Sequence, residues 1–239
     1  MSGEKVSYAQ GFWIFGGYYV TRILIAAIFA IGTDRFFLLS TESARLIGAY
    51  VDLLGEVLAG AVAWLLIRNY YSTRVYGRDL SGIGLGWNSW GSLCLSVVGG
   101  AVLGAGAVLF SCIFSSGSRV DSSPLGLYIS QGRVLLCAWI MVGIMVAPLV
   151  EEMLYRGVAL SILAVRWGRL AGVAGSSALF ITAHLPQVLY HGAAVLAISV
   201  LGVACACMRV AGCSLWSAIL FHGAYNAFLS GWILFKEGS

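Results

Sequence analysis

Seven apolar runs follow one another along this chain, near residues 12–31, 46–67, 91–114, 133–164, 170–185, 190–208 and 213–235. A helix needs about 20 apolar residues to cross roughly 30 Å of hydrocarbon, and most of these runs meet that length. In lipid each backbone N–H and C=O must find its partner inside the chain, which a helix achieves segment by segment. The expected fold is therefore all-α, a polytopic transmembrane helix bundle of about seven or eight spans. The eighth would arise if the long fourth run broke at Pro148, since an interior proline removes a hydrogen bond and clashes one turn back.

Composition points the same way. Of 239 residues 60% are hydrophobic and 10% charged, with a mean hydropathy of +0.91, which excludes an ordinary soluble domain. The net charge of +4 is small and the arginines fall mostly between the apolar runs. That pattern reads as topology and lipid-headgroup contact, with the lipid bilayer as partner and no nucleic acid. With seven spans, Lys5, Arg68, Arg74, Arg78, Arg166, Arg169 and Arg209 share the N-terminal side, against Arg35, Arg45, Arg119, Arg133 and Lys236. The majority places the N-terminus in the cytoplasm.

The first run is too long and aromatic for a signal-peptide core and lacks an A-x-A cleavage pattern, so it reads as a retained anchor. Cys94, Cys112, Cys137, Cys205, Cys207 and Cys213 show no C-x-x-C spacing and are expected to be small buried hydrophobes. The glycine-rich stretch VVGGAVLGAGAV suits close helix packing. The longest loops, 68–90 and 115–132, read as a connection with room for a short interfacial helix and as an irregular Ser/Pro/Gly segment. Most Trp and Tyr residues read as interfacial anchors.

Against this background the stretch PLVEEMLYR, Pro148 to Arg156, stands out, because ionisable side chains at membrane depth are costly and mark functional sites. Residues four apart share a helix face, so Glu152 reaches Arg156, while Glu151 lies about 100° further round without a local partner. An acidic pair at the membrane surface is the plainer alternative. Two later polar spots, FITAH ending at His184 and HGAYN from His222 to Asn226, lie in other apolar runs. Counted from the turn at 166–169, Glu151 and His184 each lie about 21 Å up their helices, and His222 about 15 Å into the last span with Asn226 one turn deeper. All four side chains are expected near one layer. His191 receives no role, because Pro186 interrupts the helix before it.

A buried carboxylate suits a general base, a histidine can hold or shuttle the proton of the same water, and Asn and His N–H groups can meet a tetrahedral oxyanion. In order and spacing, EExxxR, FxxxH and HxxxN resemble the CPBP family of intramembrane glutamic proteases, the group that includes the CAAX prenyl endopeptidase that trims Ras-type proteins. The likeness runs from about Pro148 to Asn226 and divides the chain into N-terminal helices without motif match, 1–130, and a catalytic core, 131–239. It implies that Glu151 activates a hydrolytic water with His184, that His222 and Asn226 stabilise the oxyanion, and that Glu152 and Arg156 support the site. It also implies a membrane-associated peptide or protein substrate, cut near a membrane-tethered or hydrophobic C-terminal segment, and a multi-pass place in a bacterial or archaeal cell membrane.

No cofactor is called for. Glu151, His184 and His222 are legitimate zinc ligands, but the H-E-x-x-H signature is absent and no metal is assigned. Two other readings are a non-catalytic immunity or scaffold protein of the same fold, and a small transporter. The second would use Arg22, Asp52 and Glu56, whose depths in the first two spans match and which read more simply as a structural ion pair. The lack of internal repeats argues against it.

Overall fold

Apolar sequence of this length has one low-energy conformation in lipid, the hydrogen-bonded helix, and the chain takes it throughout its long apolar runs. A computed structural model describes residues 8–36, 41–70, 82–86, 89–114, 128, 132–185 and 192–238. Among them seven main helices follow in order: α1 Tyr8–Phe36, α2 Thr41–Tyr70, α3 Trp90–Phe114, α4 Arg133–Trp167, α5 Arg169–Ala183, α6 Gly192–Ala211 and α7 Leu215–Gly238. Six are long and apolar enough to cross a membrane. The seventh, α5, has 15 residues and reaches about 22 Å, short of the hydrocarbon thickness. The expected span at 170–185 is thus a shorter apolar helix.

The protein is a multi-pass membrane bundle. Its outer surface carries the apolar side chains that a soluble fold would bury, such as Phe12, Ile23 and Ile28 on α1 and Leu95, Val102 and Leu109 on α3. Four of the six cysteines, Cys94, Cys112, Cys137 and Cys207, share that outer surface, and Cys205 alone is buried. The expectation of buried cysteines fails because an apolar side chain facing lipid loses nothing by staying outside the core.

Packing is pairwise around α4. α1 lies along α2, α3 along α7, and α5 folds back on the end of α4 and touches α6, while α4 itself meets α1, α2, α5, α6 and α7. Gly168, at φ +90°, makes the tight turn between α4 and α5. The glycine stretch in α3 does what its composition suggests. A Cβ at Gly100 would run into the Phe221 carbonyl oxygen, and one at Gly104 would stand 2.8 Å from Phe228 Cβ. Small residues therefore let α3 and α7 approach backbone to backbone at Gly100 and backbone to side chain at Gly104.

α4 does not break at Pro148. It continues for 35 residues, with π segments at Val142–Val146 and Met153–Ala159 flanking the α segment Ala147–Glu152 that holds Pro148 near its start. Widening the preceding turn accommodates the proline without ending the helix.

The ionisable residues of α1 and α2 meet as their depths imply. Arg22 pairs with Asp52 at 2.8 Å and with Glu56, Tyr18 donates to Glu56 at 2.8 Å, and Tyr128 donates to Asp52 at 3.1 Å. Arg209 behaves differently from a topology charge. It is 1% exposed and donates to the Gly82 carbonyl at 3.0 Å, tying segment 82–86 to α6. Lys5, Arg74, Arg78, Arg119, Pro186 and His191 lie outside the described residues, as do most of the two long loops.

Candidate active site

The two adjacent glutamates part company as helix geometry requires. Glu152 turns inward, fully buried, and its Oε1 lies 3.0 Å from Arg156 Nη1. Arg156 is equally buried, donates to the Gly202 carbonyl of α6 at 3.0 Å, and stacks its guanidinium 4.3 Å from the Phe180 ring centre. An isolated charge would be untenable there, so the carboxylate, the carbonyl and the ring face together make the burial possible.

Glu151 faces the gap between α4, α5 and α7. Its Oε1 stands 3.7 Å from His184 Nε2 and its Oε2 3.8 Å from His222 Nε2, with the Glu151 and His184 side chains 18% and 19% exposed. Both distances exceed a direct hydrogen bond and suit a bridging water or a shared proton.

The other nitrogen of each ring is already committed. His184 Nδ1 lies 2.8 Å from the Phe180 carbonyl oxygen, which can only accept, so Nδ1 carries the hydrogen. His222 Nδ1 lies 2.9 Å from Glu152 Oε1, the carboxylate already paired with Arg156, so the same assignment follows. With a single hydrogen on Nδ1, a ring turns an Nε2 lone pair toward Glu151. Two lone pairs against a carboxylate repel unless protons or water lie between them.

Local structure explains the aim of each group. α5 ends at Ala183, and His184 follows at φ −97°, ψ 11°, outside helical geometry, so its ring swings off the end of the helix. His222 is held within α7 and is 2% exposed. Asn226, three residues beyond Gly223 on α7, donates from Nδ2 to the Gly143 carbonyl at 2.7 Å. Glu151 thus comes within 4 Å of the Nε2 atoms of both His184 and His222, Glu152 and Arg156 lie behind it, and Asn226 is directed onto the backbone of α4.

Sequence reasoning gave Phe180 no task. Its ring lies 4.3 Å from that of His184, 5.7 Å from that of His222 and 5.4 Å from that of Tyr155, and it carries the Arg156 guanidinium. The usable signal was its four-residue spacing to His184. As to metals, the nitrogen lone pairs and the Glu151 carboxylate are of a type that ligates zinc, yet among the described residues no group of three or more His, Cys, Asp or Glu is spaced to hold an ion.

Residues 133–228, from the start of α4 through the HxxxN motif, match the family model for type II CAAX prenyl endopeptidase Rce1-like. This match supports the CPBP/CAAX protease family for the segment that carries the three motifs. No curated protein matches the chain, and no solved structure does. The family match supports a CAAX-type intramembrane protease in general terms, and it covers the helices that bring Glu151, His184 and His222 together.

Proposed function

We propose that the protein is an intramembrane endopeptidase of the glutamic type, with residues 131–239 carrying the chemistry and 1–130 bracing it. The observation that carries this reading is Glu151, each of whose oxygens faces the Nε2 of a histidine whose Nδ1–H is tied elsewhere. A water about 2.8 Å from both Glu151 Oε1 and His184 Nε2 fits their separation and gives one hydrogen to each. Its free lone pair then attacks the scissile carbonyl while Glu151 takes up the proton, and Glu151 returns that proton to the leaving amine.

The tetrahedral oxyanion falls to the α7 side. Asn226 has a second amide hydrogen beyond the one given to Gly143. His222 can donate from Nε2 only as the imidazolium, because its single neutral hydrogen sits on Nδ1. A site inside the bilayer fits a membrane-associated peptide or protein cut near a lipid-tethered or hydrophobic C-terminal segment.

The test is hydrolysis of a quenched fluorogenic peptide with a prenylated CAAX tail by purified protein. Glu151→Gln should reduce turnover at least about 100-fold, the general-base contribution, with an unchanged melting temperature. In the wild type the rate should fall on the acidic side as the carboxylate takes up its proton. Cleavage should survive exhaustive treatment with a zinc chelator. Wild-type turnover by Glu151→Gln, or activity lost on chelation and restored only by metal, would overturn the mechanism.

A further inference from the structure

The bonds on either side of Pro148 give Asn226 a task distinct from meeting an oxyanion. In α4 the Ala147 N–H reaches back five residues to the Val142 carbonyl, the spacing of a π turn. The Gly143 carbonyl then has two candidate backbone donors. Residue 147, at α spacing, is already spent, and residue 148, at π spacing, is a proline without an N–H. A carbonyl left open at membrane depth is costly. Asn226 Nδ2 closes it at 2.7 Å, and because a carbonyl only accepts, the amide orientation is fixed by this bond.

The neighbouring carbonyl points the same way. A Cβ at Gly223 would sit 2.9 Å from the Ile144 oxygen, so α7 lies directly against the part of α4 that the proline has opened. A π turn amounts to one extra residue in the helix, and its loss would rotate one side of α4 against the other by about 100°. Glu151 is three residues past Pro148, so its direction depends on that turn.

We propose that Asn226 is a positioning residue that caps the carbonyl left open by Pro148 and, through it, holds the π turn that aims Glu151 at His184 and His222. The cap stands independently of the protease reading, and only its effect on turnover rests on that reading. The remaining Asn226 hydrogen stays available to the oxyanion.

The experiment is a double-mutant cycle between Asn226→Leu, close in shape but without a donor, and Pro148→Ala, which returns a backbone N–H to residue 148. Melting temperature in detergent and hydrolysis of the prenylated fluorogenic peptide are the two readouts, and Asn226→Ala repeats the cycle if the leucine variant does not fold. In the wild-type background the substitution should lower the melting temperature by several degrees and kcat more than ten-fold, with KM within two-fold. In the Pro148→Ala background the thermal loss should fall to less than half, and kcat should recover at least three-fold relative to the single Asn226 variant. Equal thermal losses in both backgrounds would overturn the cap. Coupled stability with an identical kcat loss in both backgrounds would overturn the positioning role. Coupled stability in a wild type that does not cleave the peptide would leave the cap standing and sink the protease reading instead.

Discussion

Glu151 and Glu152 are chemically identical and adjacent, and one helical step of about 100° separates a group aimed at the histidines from one locked to a buried arginine. Their substitutions should therefore diverge. Glu151→Gln is expected to remove activity and leave stability intact. Glu152→Gln keeps the shape but strands the Arg156 charge, and breaking a buried pair costs about 3–5 kcal/mol. For a chain of this size that is a fall in melting temperature of about 6–20 °C, measurable by thermal unfolding in detergent. Arg156→Lys should not rescue the site, since a lysine cannot at once reach Glu152 and the Gly202 carbonyl and lie flat on Phe180. A lysine variant as stable and as active as the wild type would refute that account of the guanidinium.

At the scale of elements, the site depends on helices that depart from ideal geometry. α4 carries π segments before and after the glutamates, and α5 stops where His184 is needed. α7, which supplies His222, is located by its glycine-mediated contact with α3. Gly100→Leu should separate α3 from α7, because even a Cβ at that position meets the Phe221 carbonyl. Overpacking costs about 1–3 kcal/mol, so a lower melting temperature should accompany loss of activity even though residue 100 makes no contact with the reacting groups. Full activity and stability in that variant would mean that the helices can be parted without disturbing His222.

Across the whole molecule, the α1–α2 pair is held to the rest partly by polar bonds at membrane depth. Arg22 bridges Asp52 and Glu56, and Tyr128, which precedes α4 and stacks on Trp139 at 5.4 Å, joins the same network through Asp52. Arg22→Leu leaves two carboxylates without their cation and should lower the melting temperature by more than Tyr128→Phe, which loses one hydrogen bond of about 1 kcal/mol. Replacing both Arg22 and Glu56 by leucine should restore part of the loss, Asp52 retaining Tyr128. Thermal unfolding of the four proteins side by side checks the order, and equal stability of wild type and Arg22→Leu would remove the network from the account of the fold.

Hydropathy and spacing alone determined that the chain is a helical membrane bundle, that Glu152 and Arg156 face each other, that Arg22, Asp52 and Glu56 can meet, and which polar residues are out of place in lipid. These follow from fixed quantities, the rise of a helix, its 100° step and the thickness of a bilayer. The tertiary structure decided what those quantities leave free. Cysteine burial was not legible, because in lipid an apolar residue is equally stable inside or outside, so sequence periodicity carries no signal. The course of α4 past Pro148 was not legible because π segments take up the proline, the burial of Arg209 depended on a backbone oxygen in segment 82–86, and the hub made by Phe180 on three helices that must first pack. The bond from Asn226 to the Gly143 carbonyl was likewise visible only in the tertiary structure, because no motif spells out which backbone oxygen lies opposite a side chain on another helix.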